Sequence, residues 1–115
     1  MLSKVISCSL KGIDGYIVDV EADVSKGLPS FDVVGLPDTA VKESRERVRA
    51  AIKNSLLDFP LRRITINLAP AHIKKEGPYY DLPNSIGILS YTEQKKNKEI
   101  DDYMFLGELS LTGEL

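Results

Sequence analysis

Apolar and polar residues alternate along the opening segments of this chain and then give way to a helical spacing; the change of period lays out the elements. Between Lys4 and Leu10, Val5, Ser7 and Ser9 alternate with Lys4, Ile6, Cys8 and Leu10, the period of a half-buried strand. Lys11-Gly12-Ile13-Asp14-Gly15 is a turn signal. Tyr16 to Val24 then alternates apolar with acidic residues, which predicts a second strand hairpin-paired with the first. Its outward face carries Asp19, Glu21 and Asp23, read here as solvation rather than a cation comb, because oxygen sites for hard cations draw ligands from looped backbone. Ser25-Lys26-Gly27-Leu28-Pro29 turns the chain into a short third strand, Ser30 to Gly35. From Asp38 the period changes. Val41, Ser44, Val48, Ala51 and Ile52 recur at helical spacing over Thr39–Ser55, and Asp38 can accept from the free N–H groups of the first turn. The other helix face alternates in sign, Lys42 with Glu46 and Glu43 with Arg47, pairs worth about 0.2–0.5 kcal/mol each.

Beyond Pro60, Arg63 to Ala69 is β-branched and alternating, a fourth strand that Pro70 terminates because it cannot donate to a ladder. Pro and Gly mark Pro70 to Tyr80 as a loop. Asp81 is the expected N-cap of a second helix, with Leu82, Ser85, Ile86 and Leu89 at helical spacing, Pro83 tolerated in the first turn and Gly87 weakening it slightly. Glu93 to Glu99 reads as a polar connecting loop, Tyr103 to Leu111 as a fifth strand, and Thr112-Gly113 as a turn into a further strand at Glu114-Leu115. This order predicts an α+β two-layer sandwich, a mixed sheet with two helices on one face. A strand that opens on the last residues suggests a single domain, 1–115, truncated at its C-terminal end.

Length and composition narrow the classes. A chain of 115 residues that is 43% hydrophobic builds one core. A net charge of −2 argues against attraction of the whole surface to nucleic acid or anionic lipid, leaving only a local basic patch. One cysteine, Cys8, forms no internal disulfide, and no segment approaches the roughly 18 apolar residues of a membrane span. The N-terminus lacks a signal-peptide h-region. A cytoplasmic protein without a membrane partner is expected.

Little chemistry is legible. No G-x-x-x-x-G-K-[ST] run and no G-x-G-x-x-G is present, so nucleotide binding by those routes is not expected. Cys8 and His72 are single residues of their kinds, short of a zinc site, and His72 lacks a nucleophile and an orienting partner. Cys8 reads as a small buried hydrophobe. Catalytic, cofactor-binding and metal residues are therefore expected to be absent from this chain. Lys74 and Lys75 on the Gly/Pro loop, with Arg62 and Arg63 before them, form the densest positive cluster outside the helix. They are the candidate nucleic-acid contacts, provided the fold brings both pairs to one end of the sheet; otherwise they are solvated charge. Tyr79 and Tyr80 follow directly, and could stack on unpaired bases or pack in the core.

Several blocks match a known pattern. Gly27-Leu28-Pro29-Ser30-Phe31-Asp32-Val33-Val34-Gly35-Leu36-Pro37-Asp38, the helix from Lys42 to Ile52, Ile66 to Ala71, Lys74 to Gly77, Asp81-Leu82-Pro83 and Phe105 to Leu111 together resemble the N-terminal domain of the ComM/YifB family of magnesium-chelatase-like AAA+ ATPases. That domain is similar in turn to the proteolytic domain of Lon. Lon's two motifs can be laid on Lys42-Glu43-Ser44 and on Lys75-Glu76-Gly77-Pro78-Tyr79, which puts Tyr79 where Lon has its nucleophilic serine. A phenol there cannot repeat serine–lysine acyl chemistry without a matching base. The partner lysine would lie beyond residue 115. The resemblance implies a Lon-protease-domain-like fold with a left-handed β-α-β crossover, the hand opposite to the general rule. It also implies a non-catalytic interaction or scaffold domain of an ATP-dependent motor linked to DNA branch migration in natural transformation. ATP and magnesium are then expected in an AAA+ domain downstream, and the implied partners are that domain, neighbouring subunits of a hexamer, and DNA. Two alternatives belong to other classes: a divergent Lon-type serine peptidase using Ser44 or Ser85, and a protein-binding adaptor presenting Arg45, Arg47 and Arg49 on the helix Thr39–Ser55.

Overall fold

The computed structural model describes residues 2–11, 14–92 and 98–115. Strands β1 (Leu2–Lys11) and β2 (Asp14–Ser25) form the expected antiparallel hairpin, with Val5 opposite Val20 and Ser3 opposite Ala22. Strand β4 (Arg63–Ala69) lies antiparallel against the other side of β2, and β3 (Ser30–Val34) pairs with β4 in parallel at the sheet edge, giving the order β1-β2-β4-β3. Because side chains alternate across a strand, this register stacks Val5, Val20 and Leu68, then Ala22, Ile66 and Val33, then Val24, Ile64 and Phe31 on one face, and all nine are buried. Full burial of each Ile or Leu contributes about 1.5–3 kcal/mol.

Helices α1 (Thr39–Asn54) and α2 (Asp81–Thr92) close that face with Val41, Val48 and Ile52 from one and Ile88 from the other. The molecule is thus the mixed sheet with two helices predicted from the periodicities. Gly87, a weak helix former within α2, is the contact point: a Cβ there would lie 2.9 Å from the Cβ of Ala22. Asp38 caps α1 as expected, its Oδ1 accepting from Val41 N at 2.8 Å. At the other end Leu56 N donates to Lys53 O and Leu57 N to Ile52 O, the paired bonds of a Schellman closure, with Leu56 in the left-handed region at φ 61°.

Several expectations are corrected. Tyr103 to Leu111 does not form a fifth strand; only Met104 bridges to Ile6, and the rest crosses the start of α2, where Leu82 N donates to Gly107 O and Gly107 N to Tyr79 O. Its alternating pattern serves docking onto a helix end rather than a ladder. Asp81 is not an N-cap but the first residue of α2, and its carboxylate turns away to Arg47. No strand begins at Glu114; the predicted Thr112-Gly113 turn is present, with Gly113 at φ 93° and Ser110 N donating to Glu114 O. Cys8 is half-buried and sits at the opposite strand parity to the buried Ser7 and Ser9. Most of the polar run expected as a loop lies outside the described residues, and Lys98–Asp102 is a 3-10 turn.

Candidate functional site

The residues that resemble Lon's catalytic motifs converge where β3 passes into α1. Gly35 has φ 101°, and a Cβ there would collide with the carbonyl of Leu68, so only glycine lets the end of β3 cross β4 at this spacing. The chain from Leu36 to Asp38 then receives the loop after β4: Lys75 N donates to Leu36 O at 2.9 Å and Asp38 N to Lys75 O at 3.0 Å. Asp38 serves both sides, since the oxygen not engaged by Val41 accepts from Gly77 N at 3.3 Å.

This knot decides the fate of the lysines. Lys75 is fully buried, and its ammonium donates to Gly35 O at 2.9 Å and to Pro70 O. Burial pushes its pKa down. Lys75 is therefore an internal clasp, turned away from any external phosphate. Lys74 faces solvent and lies 3.8 Å from Glu76. Arg62 sits with its guanidinium 5.9 Å from the Tyr91 ring centroid, and Arg63 is exposed at the start of β4. Lys74 and Lys75 follow the end of β4 that Ala69 closes, whereas Arg62 and Arg63 lie at its beginning, so the strand separates the two pairs. Of the tyrosines, Tyr80 is buried in the core and Tyr79 is half-exposed. Burial pushes the Tyr80 pKa up, partly offset by a hydrogen bond with Ser9.

Neither alternative nucleophile is armed. Ser44 Oγ is buried and accepts from Asn84 Nδ2 at 3.0 Å; Ser85 Oγ is buried and donates to Asp81 O at 2.9 Å. The Lys75 ammonium donates to the carbonyls of Gly35 and Pro70 rather than to either serine, and His72 is exposed on its loop. Behind these serines lies an ion pair that composition did not announce. Asp81, fully buried, accepts from Arg47 Nε at 2.6 Å, from Arg47 Nη2 at 3.1 Å and from Leu109 N at 3.0 Å, tying α1, α2 and the last segment together. The hydrogen bond to Asp81 raises the Arg47 pKa against the opposing effect of burial. The other helix arginines are also engaged, Arg49 against the rings of Phe31 and Phe59 and Arg45 on Phe31 O. Among the described residues no cluster of three or more His, Cys, Asp or Glu could hold a metal ion, and no helix is long and apolar enough to cross a membrane.

In this two-layer domain Tyr79 stands where the resemblance to Lon implies a serine, and the matching lysine, Lys75, is clasped inside. The family model for subunit ChlI of Mg-chelatase matches residues 20–115, and the chain belongs to that family. It is 49% identical over 114 residues to YifB of Escherichia coli and 43% identical over 114 residues to the competence protein ComM of Haemophilus influenzae, covering 99% of this chain in each case. A similar YifB from Salmonella typhimurium is 48% identical over 104 residues, 90% of this chain and 21% of that protein. The chain spans 22% of the length of the first two relatives, about a fifth.

Proposed function

We propose that this chain is a non-catalytic interaction domain of a larger magnesium-chelatase-like ATPase, one that packs against the motor and neighbouring subunits of a ring and helps guide DNA. The carrying observation is the state of the Lon-like site: Tyr79 stands in the serine position, and Lys75 gives its hydrogen bonds to Gly35 and Pro70 carbonyls. The likeness to a competence protein supports a role in processing DNA during transformation, with branch migration as the reaction of the complete motor. ATP and magnesium would be held by residues outside this chain, which has no G-x-x-x-x-G-K-[ST] run. A cytoplasmic setting accompanies this reading.

Incubation with a fluorophosphonate probe and with casein tests the non-catalytic part: neither labelling nor cleavage is expected, and either one overturns it. The DNA part is tested with Lys74→Ala in the full-length protein, which should lower the dependence of DNA affinity on salt. An unaltered slope removes Lys74 from the contact and leaves the scaffold role standing.

A further inference from the structure

Four of the described cations stand against carboxylates: Lys4 by Asp19, Arg47 by Asp81 and Glu43, Arg49 by Glu46, Lys74 by Glu76. Lys42, Arg45 and Arg63 are different. Among the described residues none of them has a carboxylate within ion-pair distance, yet they come from the first turns of α1 and the start of β4 to line one open cavity of about 410 Å³ along β3. Thr65, Val33 and Val34 complete the wall, with Asp32 as its only carboxylate. Such a volume accommodates a nucleotide-sized group.

β3 is an edge strand. Ser30 N donates to Arg62 O, so alternate residues of the parallel ladder point to β4 and Phe31 and Val33 present their N–H and C=O groups outward. A bare edge of this kind would invite an added peptide strand. Here Arg45 Nη1 reaches over it to Phe31 O at 3.4 Å, while Arg45 Nε is held by Lys42 O at 3.1 Å. The guanidinium occupies the position an incoming strand would need, and its charge favours compact anions over a peptide backbone.

We propose that the cleft between Lys42, Arg45 and Arg63 along the β3 edge is a phosphodiester-binding site that seats the backbone of a nucleic-acid strand. The assignment rests on the reading of this domain as one that faces DNA, and it adds a contact separate from Lys74, at the opposite end of β4. Recognition is by charge, with Thr65 available to donate to a phosphate oxygen and Asp32 opposing close approach. No base is read.

The test uses fluorescence anisotropy with a labelled oligothymidine strand, titrated at salt concentrations between about 50 and 200 mM. Lys42→Gln/Arg45→Gln/Arg63→Gln should lower the log–log salt slope by about two, at roughly 0.7 per lost single-strand phosphate contact, whereas Lys53→Gln on the same helix should leave it unchanged. Asp32→Asn, which removes the opposing charge without disturbing the cations, should tighten binding. A wild-type slope retained by the triple variant overturns the cleft while leaving the DNA reading intact. Absence of any salt-dependent binding by the wild-type protein overturns both. Oligoglutamate bound as tightly as the oligonucleotide overturns the nucleic-acid assignment in favour of an acidic protein partner.

Discussion

Asp81→Ala is the substitution that most directly probes how this fold is held. Its carboxylate is fully buried and accepts three N–H bonds, two from Arg47 and one from Leu109. Removing it strands the buried Leu109 N–H, at about 1–3 kcal/mol. It also leaves the Arg47 guanidinium without its counter-charge, a break that costs about 3–5 kcal/mol for a fully buried pair. The Arg47 side chain keeps 18% of its exposure and has Glu43 at 3.7 Å, so part of that cost is recovered through water and the neighbouring carboxylate. About 4 kcal/mol is expected in all, a large share of the roughly 5–15 kcal/mol that stabilises an ordinary domain. Urea unfolding followed by circular dichroism reads this as a midpoint lowered by about 2 M, for a slope near 2 kcal/mol per M. Asp81→Asn keeps an acceptor for Leu109 N and one for Arg47, and should cost about half as much. A midpoint shift below about 0.5 M for the alanine variant, or equal shifts for alanine and asparagine, would refute the reasoning.

Three further outcomes are expected. Leu56→Gly should stabilise the protein by about 0.5–1 kcal/mol, because Leu56 is 95% exposed and sits at φ 61°, where an L-residue is strained and glycine is not; a thermal melt checks the rise. Gly35→Ala should cost more than about 3 kcal/mol, since the added Cβ meets backbone at Leu68 O and the residue is at φ 101°; an unchanged melting point would count against the crossing described here. The third concerns Lys75. Its folded pKa lies below the ordinary 10.5, so between the two values the unfolded chain holds a proton that the folded chain has released, and unfolding free energy rises with pH. Lys75→Met should lose that rise. Urea midpoints taken below pH ~10 isolate it, because above that value the raised pKa of buried Tyr80 makes stability fall with pH.

Periodicity and punctuation determined which segments would be strands and helices. The alternation of Arg63 to Ala69 between two prolines marks β4 to the residue, and Asp38 behind Pro37 marks the start of α1, because strand alternation and helix capping are local properties that need no partner to be legible. The resemblance of the family blocks likewise implies a tyrosine, Tyr79, where Lon has its serine. Partner-dependent facts needed the folded chain. Tyr103 to Leu111 alternates like a strand, yet only Met104 and Phe105 touch a strand, at Ile6, and Gly107 and Leu109 hydrogen-bond instead with Tyr79, Leu82 and Asp81 around the first turn of α2. Lys75 is indistinguishable from Lys74 in sequence, and only the packing of the 70–80 loop on Gly35 to Asp38 turns one inward and leaves the other in solvent. Arg47 and Asp81 are 34 positions apart, and Lys42, Arg45 and Arg63 line one cleft only because α1 lies beside the sheet edge where β3 pairs in parallel with β4. A side chain's own chemistry is written in the chain, but its charge acts according to what the tertiary fold sets beside it and how much water remains.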